Sequence, residues 1–222
     1  MISNFITIAV VTFIGILPIA NPFSTAVVFL TITEGFSEER RRQQARLACI
    51  YMAIVLITFL LLGTLIMNFF GISIPGLRIA GGLIVTRIGF GMLNSRSENE
   101  MSEESRDEAV RMDDVAFTPL AMPLLSGPGS IAVTIGMATE ADGVGESLAI
   151  VVGIGLVAVV SWLVLRASAK VVRFLGTTGT NVMGRIMGFL LVCVGIQFIV
   201  DGTQNILSSP AFWGPVLDTI RG

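Results

Sequence analysis

Two stretches of this 222-residue chain carry residue types that could do chemistry, Asn21-Pro22-Phe23-Ser24 and Ser126-Gly127-Pro128-Gly129-Ser130, and each lies inside an apolar run. Proline has no N–H, and its ring clashes with the carbonyl four residues back. The residue before it is pushed out of the α region as well. Pro18, Pro22, Pro119 and Pro128 therefore interrupt segments that must otherwise cross oil. Asn21 can cap a helix whose first position is Pro22, where the missing N–H costs nothing. One segment is expected to end near Leu17 and the next to begin at Asn21-Pro22. In the second stretch Ser126 or Gly127 is expected to cap the helix that Pro128 and Gly129 open. A restarted helix aims free N–H groups and the positive end of its dipole at the break. With Asn21, Ser24, Ser126 and Ser130 supplying polar side chains, the two breaks together suit a small anionic group such as a carboxylate. Packing kinks are the alternative reading, since prolines in membrane helices often serve packing alone.

Other polar residues are few. Arg87 is a charge well inside a span, where charge is expensive and often functional, although arginine can snorkel toward an interface. Gln197 is placed to reach a central cavity from the last span. Arg78 and Asp201 are expected to pair near the outer ends of their helices. The chain has no histidine, one lysine (Lys170) and no deep acidic pair. The usual activators of a nucleophile are thus missing, and no enzyme, metal site or cofactor is expected.

The elements that must position these residues are membrane spans. Hydrophobic residues make up 53%, charged residues only 14%, and mean hydropathy is +0.84; a soluble domain carries about 25% charged residues. Runs long enough to span at about 20 residues are Phe5–Thr33, Leu47–Phe70, Leu77–Leu93, Ala116–Ala138, Leu148–Arg166 and Val182–Asn205. An all-α protein of six spans follows. No Lys or Arg precedes Arg40, so the first run does not read as a cleaved signal peptide. Cys49 and Cys193 fall inside spans, which argues against a disulfide framework. No basic patch with interleaved aromatics points to nucleic acid. The bilayer and a small-molecule substrate are the expected partners, and a homo-oligomer is compatible with the sequence.

Lys and Arg favour cytoplasmic loops. Eleven of them lie in or beside the loops after spans one, three and five, against Arg78 and Arg221 on the opposite side. Both termini are therefore expected outside the cytoplasm. Residues Asn94–Val115 hold eight acidic and three basic residues and read as a solvated linker between a first unit (1–93) and a second (116–206), with a tail at 207–222. At an offset of 106 residues Pro22 falls on Pro128, Ser24 on Ser130, Gly82 on Gly188 and Gly89 on Gly195. Each half has three spans, so the second copy is expected to sit upside down relative to the first, a plan common among secondary transporters.

At these residues the chain resembles the MarC family of bacterial inner-membrane proteins. The matching stretches are L-P-I-A-N-P at Leu17–Pro22, F-G-I-S-I-P-G-L-R-I-A-G-G at Phe70–Gly82 and P-L-A-M-P at Pro119–Pro123. G-P-G-S at Gly127–Ser130 and R-I-M-G-F-L-L-V-C-V-G-I-Q-F-I at Arg185–Ile199 complete them. The resemblance implies a six-span inner-membrane protein similar to transporters, some of them linked to small neutral amino acids. A secondary transporter or exporter of small polar solutes is the leading expectation. A non-transporting scaffold or regulator is the alternative, and an intramembrane enzyme the least supported.

Overall fold

A computed structural model describes residues 2–93, 112 and 114–209. Most of the acidic linker and the C-terminal tail lie outside the described residues. Within them the chain is helical with no strand: α1 (Ile2–Ala20), α2 (Pro22–Ile32), α3 (Glu38–Phe70), α4 (Ile74–Leu93), α5 (Ala116–Leu125), α6 (Pro128–Glu140), α7 (Val144–Arg166) and α8 (Ser168–Leu207). Five helices are long and apolar enough to cross a membrane, and six regions are if α5 and α6, bent by 65° at their junction, count as one broken span. These fall on the six expected runs.

Local chemistry explains the limits. Ser37 caps α3, its hydroxyl accepting from the Arg40 N–H at 3.3 Å, and Glu38 and Glu39 in the first turn suit the dipole. Gly71 ends the helix in the left-handed region (φ 65°), a conformation that needs no Cβ. The 33 residues of α3 make a rod of about 50 Å, longer than the ~30 Å hydrocarbon layer. Its charged first turns therefore stand beyond the apolar zone. The same holds for α8, which turns at Gly176 (φ 63°) before its apolar part.

One face of α3 is buried at three- and four-residue spacing: Ala45, Ala48, Cys49, Met52, Leu56, Leu60, Gly63 and Met67. It packs on α7 and on the α5–α6 pair. In a bilayer, helices associate through close packing rather than by escaping water, and the α4–α8 contact shows how close. A Cβ on Gly82 would stand 2.5 Å from the Gly195 carbonyl oxygen, and one on Gly195 would stand 2.7 Å from that of Gly82. Gly89 and Gly188 reciprocate at 2.7 and 2.9 Å. These are the four glycines that the 106-residue offset pairs, and they bring two backbones into contact along an antiparallel seam.

One expected contact is replaced. Arg78, at the start of α4, pairs with Glu140 at the end of α6 rather than with Asp201. Asp201 Oδ1 instead accepts from Gln197 Nε2, one turn earlier on its own helix, at 2.8 Å. Arg78 thereby ties α4 to α6, the helix that leaves the second break.

Candidate binding site

The first break is one residue wide. Pro18 stays inside α1, and the helix runs on to Ala20 instead of stopping near Leu17. The Asn21 N–H still donates to the Leu17 carbonyl at 3.0 Å, so the proline deletes a bond without ending the helix. The chain turns at Asn21 itself (φ 38°, ψ 63°), left-handed values that asparagine tolerates better than most residues. Asn21 Oδ1 accepts from the Ser24 N–H at 3.4 Å, and Asn21 Nδ2 donates to Ser24 Oγ at 2.7 Å. The same Nδ2 lies 3.9 Å from Met92 Sδ on α4. Pro22 takes the first position of α2, as its chemistry requires. Asn21 and Pro22 are buried, while Ser24 is half-buried and its Oγ lies 3.9 Å from where a Cβ on Gly184 of α8 would be.

The second break is ten residues of distorted helix followed by a corner. Thr118 (φ −119°, ψ 124°) and Met122 (φ −128°, ψ 122°) are extended; each precedes a proline, where the α region is disfavoured. Backbone bonds reach five residues back, from Leu120 N–H to the Val115 carbonyl (3.2 Å) and from Ser126 N–H to that of Ala121 (2.9 Å). The entry is fixed by buried Gln44 of α3, whose Oε1 accepts from the Val115 N–H at 3.1 Å. Gly127 then caps α6 with no side-chain bond. A Cβ there would come 2.8 Å from the Pro123 carbonyl oxygen.

The two breaks adjoin. A Cβ on Gly129, in the first turn of α6, would stand 3.2 Å from Ile19 Cγ2 at the end of α1, and 3.4 and 3.5 Å from Ile88 and Val85 on α4. Helix α4 thus passes both breaks, meeting one at Met92 and the other at Val85 and Ile88. These neighbours carry no polar signature, and sequence reasoning did not find them. Only their period along α4 could have marked them.

The remaining expected residues divide. Ser126 and Ser130 are fully buried, and their hydroxyls turn back to backbone carbonyls, Ser126 to Ala121 (2.7 Å) and Ser130 to Leu125 (3.4 Å). Gly127 is half-buried and Pro128 exposed. Arg87 and Gln197 both stand on the outer surface of the bundle, and neither is brought to the breaks by any described contact. Between the first turns of α1 and the last turn of α6 lies a cavity of 180 Å³ lined by Thr7, Thr12, Met137, Glu140 and Glu146, among others. Glu146 is engaged there by Asn4 Nδ2 at 3.0 Å and the Asp142 N–H at 2.8 Å.

Comparison with known proteins identifies the family. The family described as MarC family integral membrane protein matches residues 6–207. The inner membrane protein MarC of Salmonella typhimurium is 40% identical over 205 residues, spanning 87% of this chain and 93% of the relative. That of Citrobacter koseri is 40% identical over 205 residues with the same coverage, and that of Escherichia coli O1:K1 is 41% identical over 206. No solved structure matches. With five helices apolar enough to cross a membrane, a bent apolar pair beside them and relatives of nearly its full length, the chain is an integral inner-membrane protein that belongs to the MarC family.

Proposed function

We propose that this protein is a secondary transporter or exporter of small polar solutes, neutral amino acids above all, bound where its two helix breaks adjoin. The observation that carries this reading is the approach of Gly129 to Ile19, which brings the head of α6 against the last turn before Asn21-Pro22. Broken helices are tolerated at membrane depth where protein or a cavity satisfies the freed backbone groups. At such a junction a carboxylate meets backbone N–H groups near Phe23–Ser24 or Gly129–Ser130, and Asn21 and Ser24 orient the rest of the solute. The reciprocal glycine contacts of α4 and α8 support the inverted-repeat arrangement, in which the two halves approach the midplane from opposite sides. The charge bias of the loops supports both termini in the periplasm, and the cavity between α1, α6 and α7 then serves as the outer approach.

One observation favours a second reading. Ser126 and Ser130 spend their hydroxyls on their own backbone, as residues of a packing kink would. A scaffold or regulatory protein with no transport activity accounts for that.

Flux separates the two. Purified protein in liposomes is loaded with a panel of labelled neutral amino acids. The transporter reading expects at least one to move saturably and faster than in protein-free vesicles. Unchanged flux across the panel, with insertion verified, supports the scaffold.

A further inference from the structure

A second polar cavity lies away from the breaks, where α3 begins and α7 gives way to α8. Its volume is 440 Å³, and its polar lining is Glu38, Arg41, Arg42, Arg166, Ser168 and Lys170. Four cations face one carboxylate. That carboxylate is already taken, since Glu38 pairs with Arg42 at 3.1 Å. Among the described residues Arg41, Arg166 and Lys170 make no ion pair. Arg41 donates one N–H to the Thr33 carbonyl at 2.9 Å, but its Nε is buried with no hydrogen-bond partner among the described residues. A charged donor left unsatisfied out of water is costly, so an acceptor is wanted at that spot. Arg166 lies over the Trp162 ring at 5.3 Å, a contact that holds its guanidinium at the rim.

Depth and size narrow the ligand. Glu38 is the first residue of α3 and Arg166 the last of α7, so the cavity sits where the apolar spans end and headgroups begin. Its volume far exceeds the roughly 30 Å³ share of one water. Guanidinium forks match phosphate oxygens in pairs, and lysine adds a point charge. Basic clusters beside spans also bind anionic lipids.

We propose that this cavity binds a phosphate group, either that of an anionic phospholipid headgroup or that of a soluble phosphate compound. It is separate from the solute site, and its test does not depend on transport. The delipidated full-length protein in a neutral detergent is heated with added phosphatidylglycerol, phosphatidylcholine or inorganic phosphate, and the melting temperature is followed. Wild type is expected to gain stability with phosphatidylglycerol and not with phosphatidylcholine. Arg166→Gln and Lys170→Gln, both exposed positions, should each raise the half-effective lipid concentration roughly fivefold. Arg40→Gln removes a cation of the same first turn of α3 that stacks on Phe36 and does not line the cavity; it should respond as wild type does. Stabilisation by inorganic phosphate that the same two variants lose supports the site and assigns it to a soluble ligand. Equal stabilisation by phosphatidylcholine, an unchanged response in both cavity variants, or an equal loss in Arg40→Gln overturns the proposal.

Discussion

The two helix breaks lie 106 residues apart, Pro22 and Pro128 each opening a helix, yet they are built differently. At the first, a single asparagine in the left-handed region turns the chain, and its side chain satisfies the helix it starts. At the second, paired prolines unwind ten residues, the chain bends by 65°, and a glycine opens the next helix with no side-chain cap. The first junction is closed by its own residues. The second relies on neighbours, through Gln44 at its entry and Ile19, Val85 and Ile88 at its exit. A narrow, self-satisfied break holds its geometry alone, whereas a wide break resting on other helices can change when they move.

If the breaks work as one site, the largest effect should come where they touch. Gly129→Val adds branched bulk where even a Cβ would lie 3.2 Å from Ile19. Flux in liposomes is expected to vanish while the protein still inserts; near-normal flux would separate the breaks functionally.

The cap comes next. Asn21→Ala loses the side-chain bond, costing about 0.5–2 kcal/mol, and pays a left-handed penalty of about 1–2 kcal/mol. Asn21→Gly keeps the backbone freedom and should cost only a few tenths of a kcal/mol. At the second break the requirement is spatial: Gly127→Ala meets the Pro123 carbonyl and should cost about 1–3 kcal/mol by overpacking. Thermal unfolding in detergent checks all three. Asn21→Ala and Asn21→Gly behaving alike would mean that the left-handed turn is not what the asparagine provides.

Serine truncations follow. Ser24→Ala and Ser130→Ala should each weaken solute binding about ten- to hundredfold, since losing one partner of a buried hydrogen bond costs about 1–3 kcal/mol. Binding titration reads the loss, and an effect at Ser24 alone would confine the site to the first break.

The smallest effects belong to the outer surface. Arg87→Lys and Gln197→Ala should leave flux within about twofold, because both residues are exposed and an i,i+4 contact such as Gln197–Asp201 contributes only about 0.2–0.5 kcal/mol. Loss of flux in Arg87→Lys would return that guanidinium to the site, since lysine cannot reproduce its planar fork.

Hydropathy made the apolar membrane-length regions legible because lipid allows little else over 20 residues. It stopped short at the charged turns of α3 and α8, where caps and the Glu38–Arg42 pair carry helices past the apolar zone. The breaks were legible from proline, but their form was not. Pro18 did not end α1, because one deleted bond leaves the rest of the ladder intact. Pro119 and Pro123 did unwind α5, because each forces its predecessor into an extended conformation. Arg78 chose Glu140 over Asp201 because helix crossing, not position within a span, decides which charges meet. Spacing is what marked the serines of the candidate site. Its apolar walls, Ile19, Val85, Ile88 and Met92, look in sequence like any other core residue.

The most direct measurement of whether one solute occupies both breaks is protection of engineered thiols. In a background carrying Cys49→Ala and Cys193→Ala, Ser24→Cys and Ser130→Cys are labelled separately with a small maleimide in membrane vesicles. The account expects one amino acid of the neutral panel to slow labelling at both positions over the same concentration range. Protection at neither position, or at only one, would contradict a shared site.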